Sequence, residues 1–158
     1  VTSEQHTAAG SLRAGGRDDA LEQRLDEELT ALNTAAADGA VTEPLSVRAT
    51  DPSGDLIGGL TAWTWGTLCS VDMLWVREGQ RHSGWGGRLM RAAQDEAVRR
   101  GCTDMIVSTY SFQAPGFHPR LGFRERARIA GVPGGHEDVC FHKRLSPPRD
   151  ETPFGHRP

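Results

Sequence analysis

One stretch of this chain combines glycine and arginine in a pattern that suits an anion. Residues 81–86 read R-x-x-G-x-G, and Gly87 adds a further glycine. Glycine lets a backbone approach a phosphate closely, and the first N–H groups of a helix direct partial positive charge outward at it. The stretch lies between an apolar, β-branched run and a helical one, the context in which such a pattern carries weight. Two familiar phosphate loops do not fit. A P-loop needs Gly-Lys-Ser/Thr, and no lysine occurs here; a dinucleotide fingerprint needs a third glycine where Leu89 stands. The chemically silent reading is an ordinary strand-to-helix connection with small residues for close packing.

Other reactive groups lie nearby. Asp72 is a carboxylate inside an apolar strand, a disfavoured place unless something uses it. It could take the proton of an ammonium through water or bind it; the alternative is a carboxylate satisfied by backbone N–H groups. Glu78, in the turn before the loop, reads as solvated. Arg77, Arg81, Arg88, Arg91, Arg99 and Arg100 crowd the loop and the following helix, which suits either a polyanionic cofactor or a solvated helix face. Trp63 and Trp65, two apart on one strand, could wall a pocket for a cation, or serve core packing or a dimer contact.

These groups need a scaffold. Residues 1–17 mix Ser, Thr, Gly and Ala with a single leucine and read as disordered. Asp18 and Asp19 are N-cap candidates, Leu21, Leu25, Leu29, Leu32 and Ala36 recur at helical spacing, and Gly39 ends that packing helix. Residues 45–50 and 56–65 form a hairpin across a turn at 51–55. In a third strand, residues 68–76, alternation puts Cys69, Val71, Met73 and Trp75 on one face and Ser70, Asp72, Leu74 and Val76 on the other. A helix over 85–100 presents Leu89, Ala93 and Ala97 to a sheet and ends at Gly101. Residues 104–110 make a buried strand, parallel to 68–76 because a helix separates them. A short helix broken by prolines spans 111–122, two closing strands cover 123–129 and 139–145, and a polar tail is expected to be mobile. The expected organisation is thus 1–17 disordered, 18–145 one domain, and 146–158 tail.

Composition narrows the function classes. At 158 residues the chain can bury one core, and its hydrophobic fraction of 37% is low because both ends are polar. A net charge of −3 argues against general affinity for nucleic acid or an anionic membrane. No apolar run is long enough to span a bilayer, and the N-terminus lacks a secretory apolar region. Cys69, Cys102 and Cys140 are odd in number and widely spaced, so neither a disulfide framework nor a metal site is expected, and a cytoplasmic setting is the default.

With its flanks, the glycine stretch resembles the acyl-coenzyme A loop of the GNAT acetyltransferases, V-x-x-x-x-[QR]-x-x-G-x-[GA], with Val76, Arg81, Gly84 and Gly86 in register. Residues 111–123, SFQAPGFHPRLGF, resemble that family's N-x-x-A-x-x-[FL]-Y-x-x-x-G-F, with Ala114, Phe117, Gly122 and Phe123 in register. Three residues depart from it: Ser111 replaces the common asparagine, His118 replaces the usual tyrosine, and Pro119 follows directly. The order α-β-β-β-α-β-α-β-β agrees with the family.

The resemblance implies an α/β fold of the α+β type, with a central, mostly antiparallel sheet, one splayed parallel pair and flanking helices. It implies an N-acetyltransferase that carries acetyl from acetyl-coenzyme A to a primary amine of a small molecule by direct attack in a ternary complex. A homodimer is compatible with it. Leu74, Trp75 and Val76 would line the pantetheine arm, with Ser108, Thr109, Ser111 and Phe117 bordering the cofactor. Arg81, His82, Ser83, Gly84, Trp85, Gly86, Gly87 and Arg88 would hold its phosphates. His118 then stands where the family's tyrosine protonates the departing thiolate, and an imidazole with an ordinary pKa near roughly 6.5 suits proton transfer near neutrality; otherwise it is a loop histidine in an enzyme that needs no strong acid. Asp72 is the candidate base, and with Trp63 and Trp65 it is a candidate for acceptor binding. The competing functions are a catalytically silent acyl-coenzyme A-binding module and an acetyltransferase for protein amino groups.

Overall fold

The computed structural model describes residues 3–7, 10–114 and 116–145; the tail expected after residue 145 lies outside the described residues. The chain divides into two units, Val1–Val41 and Thr42–Pro158.

In the first unit, strands β1 (Ser3–Thr7) and β2 (Gly10–Ala14) pair antiparallel, where composition alone suggested disorder. Helix α1 (Asp19–Ala36) begins where the Asp18 carboxylate accepts from the Leu21 N–H at 3.0 Å, the N-cap expected from the sequence. It ends in a left-handed turn at Asp38 and Gly39, whose N–H returns to the Thr34 carbonyl. Within this unit Leu21, Leu25, Leu29 and Leu32 form a stripe that is half or more exposed.

The second unit is a six-stranded sheet in the order β3-β4-β5-β6-β8-β7, made from β3 (Glu43–Thr50), β4 (Leu56–Trp65), β5 (Leu68–Val76), β6 (Asp104–Tyr110), β7 (Arg124–Val132) and β8 (His136–Arg144). All pairs are antiparallel except β5 with β6. This is the mixed sheet that the sequence implied. Helix α2 (Trp85–Arg99) covers one face, burying Leu89, Met90, Ala93, Gln94 and Ala97. Its alanines let the helix lie close to Leu60, Ala62, Cys69 and Val71, which are at most 5% exposed. Burying each large aliphatic side chain there contributes about 1.5–3 kcal/mol. A four-residue helix, α3 (Phe117–Arg120), stands between β6 and β7.

One irregularity corrects the sequence reading of β5. Thr61 of β4 faces Met73, but Ala62 faces Val71, so Asp72 is an extra residue in a β-bulge. The bulge resets the alternation. Leu74 and Val76 therefore pack on the core with Cys69 and Val71, whereas Met73 and Trp75 are exposed, at 67% and 49%. The expected face-sharing of Cys69 and Val71 with Met73 and Trp75 fails because period-two alternation survives only in an unbroken strand.

Candidate active site

The bulge coincides with a fork in the sheet. The parallel ladder runs from Leu68↔Asp104 to Val71↔Val107 and stops there. Beyond it, β5 carries on through Leu74 and Val76 and β6 through Ser108, Thr109 and Tyr110, with no ladder between them. β5 remains paired to β4 as far as Gly58↔Val76 and β6 to β8 as far as Tyr110↔Asp138, so each strand keeps its outer partner while the two inner edges are left open to each other. Open backbone groups flanked by a bulge are what an extended ligand arm needs to lie in as an extra strand. Asp72 sits at the crotch of this fork, exposed, with no hydrogen bond or ion pair among the described residues.

β5 leads through a single 3-10 turn (Glu78–Gln80) to the start of α2. His82 and Gly84 both take left-handed backbone angles, φ 63° and 86°, and Gly84 is the N-cap of α2 with no side chain capping the first turn. A Cβ on Gly84 would meet nothing within 4 Å, so the space in front of the helix start is clear. Uncapped N–H groups, open space and a residue that only glycine adopts without strain fit a phosphate group. Ser83 Oγ donates to the Gln80 carbonyl and Arg81 Nε to the Val76 carbonyl at 3.1 Å, which ties the loop to the end of β5. Gly86 has a different reason to be glycine: a Cβ there would lie 3.1 Å from the Phe117 ring.

The arginine cluster divides once its partners are known. Arg77 donates to the Leu56 carbonyl and to Asp51, bracing the β3–β4 turn. Arg99 and Arg100 both pair with Glu96, whose carboxyl they lower to about 2. Arg100 also donates to the Pro44 carbonyl and Thr64 Oγ1, at 3.0 and 3.3 Å. Those three are structural. Arg88 lies over the Trp85 ring, 4.8 Å from its centroid, leaving its charge beside the helix start.

His118 is buried, at 5% exposure, on α3. Its ring is surrounded by Phe117, Phe123 and Phe141, at centroid distances of 5.0, 5.7 and 5.2 Å. Desolvation lowers its pKa to about 4, so the imidazole is neutral at physiological pH. Its Nδ1 is buried with no hydrogen-bond partner among the described residues, which is costly unless a bound group satisfies it. Trp63 and Trp65 are half-buried on the face away from α2, with Trp63 in register with Ser70 and Trp65 with Leu68. That places them on the paired side of the fork, not at its mouth. Burial also pushes the Cys69 thiol up to about 11 and raises that of Cys102, so neither holds a thiolate ready to accept an acyl group.

Pairwise sequence logic missed several residues here. Gly58 lies where a Cβ would come 2.6 Å from the Trp75 carbonyl oxygen, so β4 and β5 meet at the fork only through glycine. Tyr110, Phe112 and His136 form a ring cluster at the far end of β6 and β8.

A mixed sheet that forks at a bulge, with an open helix start beside the fork, defines an enzyme class that binds an acyl donor through a phosphate-bearing arm. The acetyltransferase (GNAT) family profile matches residues 15–123, and the chain belongs to that family. It is therefore an acetyltransferase, with the acetyl-coenzyme A donor of that family. Among characterised relatives it is similar to the blasticidin-S acetyltransferase of Streptomyces morookaense, 42% identical over 109 residues that cover 65% of this chain and 78% of that protein. Among solved structures it is similar to an acetyltransferase from Bacillus cereus, with TM-score 0.74 and 27% identity over 84% of this chain and 96% of that one. An aminoglycoside 6'-N-acetyltransferase in complex with coenzyme A shares the fold, with TM-score 0.58 and 17% identity over 95% and 99% of the two chains. Among the described residues no helix is long and apolar enough to cross a membrane.

Proposed function

We propose that the acceptor is a primary amine of a small molecule, acetylated by direct attack while donor and acceptor are bound together. The observation that carries this reading is Asp72, an unpaired carboxylate extruded by the bulge where β5 and β6 part. The 42% identity to a protein named as a blasticidin-S acetyltransferase, whose acceptor is a small-molecule amine, supports the acceptor class.

Bound acetyl-coenzyme A supplies an activated acyl group and a thiolate leaving group. The remaining tasks fall to the chain. Backbone N–H groups of residues 81–88 would hold the phosphates, with Arg88 adding charge. Backbone groups of Leu74, Trp75 and Val76 would hold the arm, and Ser108 and Thr109 of β6, with Ser111 just beyond it, would border it from the other side. Phe117 would keep the start of α2 in place through its contact with Gly86. Asp72 attracts an ammonium and accepts its proton through water, since only the neutral amine attacks. His118, neutral in its phenylalanine cage, would serve as an N–H donor to the thiol group rather than as an imidazolium.

The test is thiol release from acetyl-coenzyme A across blasticidin S, aliphatic diamines, aminoglycosides and a peptide with a free N-terminus. Turnover with small amines supports the reading, and turnover confined to the peptide replaces it with a protein acetyltransferase. Coenzyme A binding with no turnover on any amine would make the chain a silent acyl-coenzyme A-binding module, a reading that the histidine in place of the family's usual tyrosine favours.

A further inference from the structure

The mouth of the fork carries a feature that donor binding does not use. Tyr110 ends β6, three residues beyond Val107, where the β5 pairing stops. At about 3.3 Å per residue this is roughly 10 Å past the fork. Its ring stacks on Phe112 with centroids 5.5 Å apart and planes 20° apart, and Phe112 meets the His136 ring edge-on at 4.9 Å. Tyr110 and Phe112 are 44% and 55% exposed, so the stacked pair presents contiguous apolar surface to solvent.

The cluster is held rigidly. The Ser111 N–H donates to the Glu137 carbonyl, the Gln113 N–H donates to the Tyr110 carbonyl, and the Glu137 N–H donates to Ser111 Oγ. Ser111 Oγ lies 3.3 Å from His136 Nδ1, and Gln113 Oε1 accepts from Thr109 Oγ1 at 3.1 Å. Ala114 closes the turn in a left-handed conformation, φ 52°, an arrangement a non-glycine residue adopts only when its surroundings impose it.

The charge beside the rings is negative. Asp138 stands directly opposite Tyr110 in the β6–β8 ladder and, unlike Glu137, which pairs with Arg128, has no ion-pair partner among the described residues. Asp72 supplies a second unpaired carboxylate at the crotch of the fork. Preorganised π faces beside the Asp138 carboxylate, with Asp72 further back at the fork, select a ligand that is both flat and cationic, because ring faces attract cations and stack on planar groups.

Building on the small-molecule reading above, we propose that Tyr110, Phe112 and His136, with Asp138, form an acceptor platform that selects amines carrying a planar, cationic or heteroaromatic group. Aliphatic amines of the same charge lack the stacking partner and bind more weakly.

The experiment compares two ring-bearing amines, blasticidin S and tryptamine, with an aliphatic amine of tryptamine's charge, n-hexylamine. Each is titrated calorimetrically into the enzyme saturated with coenzyme A and assayed for thiol release with acetyl-coenzyme A. Tryptamine should bind at least tenfold more tightly than n-hexylamine. Phe112→Leu, which keeps an apolar side chain but removes the π face, should raise KM for the flat amines about tenfold with kcat retained, and Asp138→Asn should do likewise. Coenzyme A affinity, measured separately, reports whether each variant is folded. Equal binding of flat and aliphatic amines, no binding of either flat amine, or an unchanged KM in a folded Phe112→Leu enzyme would overturn the platform. Tight binding of a flat amine without turnover would uphold it and instead overturn the transferase reading of the acceptor.

Discussion

Gly86 and Phe117 meet across the site: a Cβ on Gly86 would lie 3.1 Å from the Phe117 ring and 4.0 Å from Val76 Cγ2. The start of α2, the end of β5 and α3 therefore converge on a single missing methyl group. The contact couples the proposed phosphate cradle to the segment that carries His118. Gly86→Val should weaken coenzyme A binding sharply while the fold survives. Gly86→Ala should weaken it about tenfold, and adding Phe117→Leu should restore part of the loss by making room. Isothermal titration of the two single variants and the double variant measures the coupling; additive effects would mean that the two sites are independent.

Gly84 should respond differently. It has open space but a φ of 86°, so Gly84→Ala carries a backbone cost of about 1–2 kcal/mol with no steric clash. Its deficit should appear in both melting temperature and coenzyme A affinity, and Phe117→Leu should rescue neither. A rescue would show that the two glycines share one constraint.

His118 makes acid lability a local property. Its folded pKa is lowered to about 4 by burial, whereas the unfolded chain protonates near the ordinary value of roughly 6.5. Between those values the unfolded state binds the extra proton, so stability is full above about 6.5 and is lost as pH falls towards 4. His118→Phe should remove a slope amounting to on the order of 3 kcal/mol over that window. Urea denaturation at pH 7, 5.5 and 4 reads it directly, and parallel curves for the two proteins would refute the assignment.

The same histidine should matter for turnover. His118→Ala should lower kcat by about 10²-fold, the lower end of general acid catalysis, and His118→Tyr should recover much of it. Because the ring is already neutral, the kcat profile of the native enzyme should show no histidine limb near pH 6.5. A limb there that vanishes in His118→Ala would return the residue to the role of an imidazolium acid.

Asp72→Asn should leave coenzyme A affinity intact and lower turnover. The deficit should shrink as pH rises, because more of the amine is then neutral without help. A deficit constant from pH 6 to 9 would assign Asp72 a positional role.

Much of this architecture can be read from local pattern. The Asp18 cap, the glycine-rich start of α2, the β3–β4 hairpin and the parallel partnership of β5 with β6 rest on propensity, periodicity and connection length, which are properties of neighbouring residues. The family resemblance was legible for the same reason, since Val76, Arg81, Gly84 and Gly86 lie within one short segment.

What the tertiary structure decided was every relationship that depends on a partner strand or on several distant segments. The bulge at Asp72 exists only in the register between β4 and β5, and it turns Met73 and Trp75 away from the face that alternation assigned them. His118 is neutral because Phe123 and Phe141 come to it from outside its own helix, and no window around residue 118 contains Phe141. Arg77 resembles a phosphate ligand in the sequence but is spent on Asp51 and the Leu56 carbonyl. Tyr110, Phe112 and His136 form one surface because β6 and β8 are neighbours, although β7 separates them along the chain. Periodicity records which residues can share a face; register and burial determine which side chains meet, and with them charge state and chemistry.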